Sequence, residues 1–359
     1  MYVESQLRTC GLNSSPAFNR HPDTGMSRAF TLMELLIVMM IMTLLAGLAL
    51  SALAGAMELA REQRTRVIIT KIDQLIMDRY ESYRTRAVPI RVAPGTSPRA
   101  AAELRLNALR ELMRLELPDR ISDLCVPNEY KELIEDSEHD LDVIPTQVSV
   151  ETYYLKSSPS LALSYKRRAR TAMYAQGPNS PRPWTQEHQG AECLYLILST
   201  IQDGDKNALD YFTDSEIGDT DDDGQKEILD AWGTPILFLR WAPGYTIENG
   251  AATTQTSNSA KAPDPFDPAK ADPWWRARDP RVYLYPYALK PLLASAGRDR
   301  VLDVRVLLWH VSQKEDSVNQ RRNDPYLSFM VPGLGEPIDA DDGGGGFADN
   351  ITNHFVQTP

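Results

Sequence analysis

Between Leu35 and Met57 the chain carries no charged side chain. Those 23 residues, at about 1.5 Å of rise each, make roughly 35 Å of α-helix, enough to cross the hydrocarbon core of a bilayer. We read the stretch as a membrane-spanning segment, with Gly47 and Gly55 as points where close helix contacts or local bending are tolerated. A single carboxylate, Glu34, stands at its start. A charge inside a bilayer costs about 2.5 to 3.5 kcal/mol unless it finds a partner, so Glu34 demands one.

The helical pattern does not stop with the apolar run. No proline follows until Pro89, and Val67, Ile68, Ile72, Leu75, Ile76, Tyr80 and Tyr83 recur at steps of three and four. That spacing predicts one apolar stripe on an otherwise charged helix. A helix from about Thr31 to Thr85 would be roughly 80 Å long, half in lipid and half packed on a globular head. Residues 1–28 are polar and aperiodic and are set aside as a leader, with Met26 an alternative start. The organisation expected is therefore a leader over 1–29, a transmembrane half-helix over 30–57, an amphipathic half over 58–88 and a head over 89–359.

Ala29, Phe30, Thr31, Leu32, Met33, Glu34, Leu35, Leu36 closely resembles the processing site of type IV prepilins and type II secretion pseudopilins. The resemblance implies cleavage by a prepilin peptidase after Ala29 on the cytoplasmic side. Phe30 then becomes the methylated N-terminus, and Glu34 the carboxylate that pairs with an N-terminal amine during filament assembly. It also implies a single-pass protein in the inner membrane, N-terminus inside and head in the periplasm. Charge alone does not orient the helix, because Arg61, Arg64, Arg66 and Lys71 beyond it outnumber Arg20 and Arg28 before it. The rival reading is a plain signal anchor in which Glu34 is incidental.

In the head, Pro89, Pro94, Gly95 and Pro98 mark a linker over 89–99, and Ala100 to Leu117 reads as a helix ended by Pro118. Residues 119–145 are mixed, with an acidic solvated run over 135–142. A further helix over 158–174 carries Lys166, Arg167, Arg168 and Arg170 on an exposed face, and residues 186–202 read as a buried helix. Strands are expected at 235–241, 282–287 and 304–310. The segment 248–273 is too polar for core, and the chain from Gly333 onward is loop-like. The class is α+β, and the resemblance makes it pilin-like: a long N-terminal helix on a head with an antiparallel sheet and extra helices.

Asp219 to Asp230 reads DTDDDGQKEILD. Asp219, Asp221 and Asp223 fall at positions one, three and five of an EF-hand-type loop, Gly224 at six and Asp230 at twelve. Gln225 offers a backbone carbonyl, and Glu227 a direct or water-mediated ligand. Alternating carboxylates of this kind wrap a hard cation, Ca2+. Lys226 at position eight and Asp rather than Glu at twelve depart from the standard loop and predict modest affinity. The rival reading is an acidic surface turn. Next comes Asp230, Ala231, Trp232, Gly233, Thr234, Pro235, similar to an element of type II secretion major pseudopilins. Ser295 to Asp299, followed by Arg300 where that family carries Gly, and Asp349, Asn350, Ile351 are similar to two later elements. By that resemblance Asp299 and Asp349 become candidates for a second calcium site.

A net charge of −11 argues against nucleic acid as a partner. Cys125 and Cys193 would face a compartment where disulfides persist, so pairing and two buried thiols both stay open. The five histidines, His21, His139, His188, His310 and His354, are scattered. There is no HExxH, no GxSxG and no GxxxxGK, and nothing favours an enzyme. The expected function is a structural subunit of a type II secretion pseudopilus or a type IV pilus-like filament. Its partners would be copies of itself, other pilin-like subunits, the peptidase, the assembly platform and the membrane. The alternative is a calcium-stabilised minor pilin or membrane-anchored adhesin.

Overall fold

The computed structural model describes residues 31–124, 154–177, 182, 184–248, 251–253, 263–276, 286–306, 325, 334–338, 347 and 349–354. The leader, Ala29 and Phe30, Cys125, the acidic run 135–142, and most of the strands expected at 282–287 and 304–310 lie outside the described residues. The architecture is α+β. Helix α1 runs Leu32–Ser82, α2 Pro98–Glu116, α3 Ser160–Met173 and α4 Gln189–Leu198. Strands follow in chain order: β1 Gln202–Asp203, β2 Lys206–Asn207, β3 Ile217–Gly218, β4 Glu227–Ile228, β5 Leu237–Leu239, β6 Thr246–Glu248, β7 Ala251–Thr253, β8 Leu292–Ser295 and β9 Ile351–Thr352.

The chain divides into two compact units between Gly55 and Ala56. In the first, every described side chain is exposed, and α1 is long and apolar enough to cross a membrane. A capping box starts the helix. The Thr31 backbone N–H donates to Glu34 Oε2 at 2.9 Å, and the Glu34 N–H donates back to Thr31 Oγ1 at 3.2 Å, so two otherwise orphaned donors are satisfied reciprocally.

In the second unit, Thr65, Ile68, Ile69, Ile72, Ile76 and Tyr80 of α1 are buried. They share one core with Leu109 and Met113 of α2, Leu194 and Ile197 of α4, and Phe238, Leu293 and Ile351 of the sheet. Each buried Ile contributes about 1.5 to 3 kcal/mol by leaving water. The stripe is rotated slightly from the one expected: Val67 is 52% exposed, and Ile69 takes the inward position. The sheet is antiparallel in the order β5-β8-β9, with Phe238 opposite Leu293 and Ser295 opposite Ile351. Asn353, just past β9, ties this sheet to α1, accepting from the Leu293 N–H at 3.0 Å and donating to Asp73 at 2.7 Å.

Ser97 caps α2 through the Ala100 N–H, so the helix begins at Pro98, inside the stretch expected to be linker. Its second half is buried on all sides, charges included. Arg110 pairs with Asp264 at 3.1 Å and Asp272 at 2.6 Å, and Glu116 with Arg86 at 2.6 Å. Those aspartates correct the reading of 248–273 as excluded from the core. Asp264, Asp267 and Asp272 are buried beside Phe266, because a buried guanidinium needs carboxylates brought to it. In α3, Arg167 and Arg168 are exposed as expected, but Lys166 is buried.

Candidate metal centre

Residues 219–226 form the tip of the β3–β4 pair, in which Ile217 faces Ile228 and Gly218 faces Glu227. The loop is closed by its own side chains: Asp219 Oδ2 accepts from the Gly224 N–H at 3.0 Å, and Asp223 Oδ1 from the Gln225 N–H at 2.8 Å. Gly224 takes φ +93°, and a Cβ there would meet the Ala172 carbonyl at 3.2 Å. Only glycine allows both that turn and that approach to the end of α3. The Gln225 amide donates to the Ala169 carbonyl at 3.0 Å and anchors the loop to the same helix.

Asp219, Asp221 and Asp223 bring ligand oxygens within 4.8 Å of one another, as do Glu192, Asp221 and Glu227. Asp221 belongs to both groups. Glu192, fully buried on α4, was not legible as a site residue, since the AECLYLIL run reads simply as core. Thr185 was also missed. Its N–H donates to Asp223 Oδ2 at 2.7 Å and its hydroxyl to Asp221 Oδ2. Trp184 donates its indole N–H to Glu192 Oε2, and Thr220 its N–H to Glu227 at 3.2 Å. One oxygen each of Glu192, Asp219 and Asp221 is buried with no hydrogen-bond donor among the described residues.

Crowded acids raise one another's pKa. Burial and the nearby Asp223 push Glu192 up to about 10, and burial, with Asp221, Asp219 and Asp223 adding to it, pushes Glu227 up to about 7. Burial also raises Asp223. The arrangement gathers carboxyl oxygens whose charged forms are disfavoured until a counter-charge arrives, which is the chemistry of an oxygen-seeking cation site.

At position twelve, β4 begins at Glu227 where an EF-hand would continue into a helix, and Asp230 is not among the carboxylates grouped within 4.8 Å of one another. Its Oδ1 accepts from the Trp232 and Thr234 N–H groups at 2.8 and 2.9 Å, and its Oδ2 from Ser295 Oγ at 2.6 Å. Asp230 thus builds the turn into β5 and staples it to β8.

A second group joins Asp299, Asp303 and Asp349 across about 50 residues of sequence, with ligand oxygens within 4.8 Å and Asp349 Oδ1 lacking a donor. The Asp299 N–H donates to Asp349 Oδ2 at 3.1 Å, and Asn350 Nδ2 donates to Asp303 at 3.1 Å. Gly297 makes the closure possible, since a Cβ there would lie 2.2 Å from the Asp349 carbonyl. These residues fit a hard cation. Arg300 takes φ +65°, a conformation that costs an L-residue about 1 to 2 kcal/mol. Arg300→Gly is therefore expected to raise stability by up to about 1 kcal/mol, after the entropy of a glycine is subtracted. Urea unfolding of the two chains checks this, and an unchanged or lower midpoint would contradict it.

Cys193 is buried and free, while Cys125 lies outside the described residues. No protein-family model, curated protein or solved structure matches the chain.

Proposed function

We propose that the chain is a prepilin-like structural subunit, processed after Ala29 and assembled through its N-terminal helix into a type II secretion pseudopilus or type IV pilus-like filament. The observation that supports this best is the division of labour along α1. Residues 32–55 present exposed apolar side chains and one acid at their head, while Ile68, Ile69, Ile72, Ile76 and Tyr80 are buried in the globular core. A signal anchor needs only apolar length, and there Glu34 would do no more than cap the helix with Thr31. In a filament the apolar halves exchange lipid for one another, and Glu34, already aimed at the first backbone N–H of the helix, meets the amine of a neighbouring Phe30. The Asp299, Asp303 and Asp349 group serves in this reading as a calcium clamp between the loop after β8 and the segment before β9.

N-terminal sequencing and mass spectrometry of protein from the native envelope test the proposal. The expected mature chain starts at Phe30 and carries a methyl group on its amine. An intact Ala29–Phe30 bond would overturn it. Abundance in sheared filaments then separates a major subunit from the alternative of a scarce minor pilin or adhesin.

A further inference from the structure

Helix α4 meets the β3–β4 pair through the core that holds Leu194, Ile197 and Ile228, and at the edge of that contact the chain puts a fully buried Glu192 against the acidic loop. Two carboxylates meet in a dry site only through a shared proton or a cation. We propose that Glu192, Asp219, Asp221, Asp223 and Glu227 bind a single Ca2+ that fastens α4 to the β3–β4 loop, independently of any filament role.

The donor geometry carries the assignment. In Glu192, Asp219 and Asp221 one oxygen is tethered, to the Trp184 indole, the Gly224 N–H and the Thr185 hydroxyl respectively. The second oxygen of each is buried with no donor among the described residues. Tethering fixes the direction of the free lone pairs. Oxygens sharing one Ca2+ at 2.3 to 2.6 Å can stand no more than about 5 Å apart; within each acidic group the oxygens meet that limit at 4.8 Å, and Asp221 belongs to both groups and joins them. The donors are all oxygens, with neither thiolate nor imidazole, which excludes a zinc-type set. Five carboxylates are more than Mg2+ takes from protein, since it keeps most of its water. Ca2+ suits the number and the irregular arrangement.

The test uses the full chain in detergent, stripped with chelator and titrated with CaCl2 by calorimetry. Tb3+ luminescence excited through Trp184 reports the same site at close range. The wild-type chain should bind saturably, and Asp221→Asn and Glu192→Gln should each weaken that binding by about tenfold or more. Asp230→Asn and Asp349→Asn should leave the affinity of this site within about threefold, while Trp184→Phe removes the Tb3+ signal. Glu192→Gln keeps the side-chain volume and the acceptor for Trp184, so it decides the matter if Asp221→Asn fails to fold. Absence of saturable binding, affinity unchanged by Glu192→Gln, or binding lost only in Asp349→Asn would each overturn the site.

Discussion

Glu34→Gln subunits are expected to insert, to be processed and to fold, yet to be missing from filaments sheared off cells. The substitution separates two jobs that one side chain does. Within the chain Glu34 completes the capping box with Thr31, and glutamine performs that job equally well because its amide oxygen also reaches back to the N-cap N–H. Only the charge is lost. In the proposed assembly that charge faces a protonated amine in a bundle of apolar helices, where removing one member of an ion pair costs about 3 to 5 kcal/mol. At about 1.4 kcal/mol per tenfold, each subunit's addition to the filament weakens by at least about a hundredfold. Glu34→Ala removes the cap as well and should frustrate assembly no less. The measurement is the ratio of sheared to membrane-bound subunit by immunoblot. Wild-type amounts of Glu34→Gln in the sheared fraction, with Phe30 as N-terminus, would sink the charge-pairing mechanism.

What could be read in advance follows from how local each interaction is. The apolar run, the stripe on α1 and the carboxylates at 219, 221 and 223 announce themselves because the partners lie within a few residues or repeat with a helical period. Strand β8 did not, since Leu292 to Ser295, LLAS, is a short stretch soon after Pro291 and before Gly297 with no alternation to mark it. β9 is shorter still, in a glycine-rich tail, and becomes a strand only because Asn353 and the β8 edge receive it. Buried charge was the least legible feature of all. Lys166, Asp264 and Asp272 read as surface residues, and Glu192 as one more position of an apolar run, until tertiary structure supplies a reason for each charge to be inside. At Asp230 the motif spacing holds, while a strand begins three residues earlier and both side-chain oxygens accept from the turn into β5 and from Ser295.

Arg240 is such a buried charge, and Arg240→Met is expected to destabilise the head by about 3 kcal/mol or more. One guanidinium nitrogen donates to the carbonyl of Leu117 at 2.7 Å and to Asp123 at 2.9 Å; the other approaches Asp119 at 3.5 Å, and the cation lies 4.4 Å from the Trp241 ring. The side chain therefore joins the end of α2, the turn at Ile121–Asp123 and the end of β5. Methionine fills much of the volume but leaves carbonyls and carboxylates without a donor, and Arg114, 3.6 Å from Asp123, compensates only in part. The pH dependence distinguishes this electrostatic loss from a packing defect. Burial alone would raise the pKa of Asp123, but the charges of Arg240, Arg114 and Arg120 outweigh it and hold the carboxyl well below the usual range. A depressed folded pKa stabilises fully above the unfolded value of about 3.9 and is lost as pH falls through the folded value. In the Met variant Asp123 titrates closer to its unfolded value, so less remains to lose. The gap in urea midpoint between the two chains should thus be widest near pH 7 and narrow as pH falls below about 4. A gap that stays constant down to the acid limit would assign the defect to packing and remove the ion network from the account of stability.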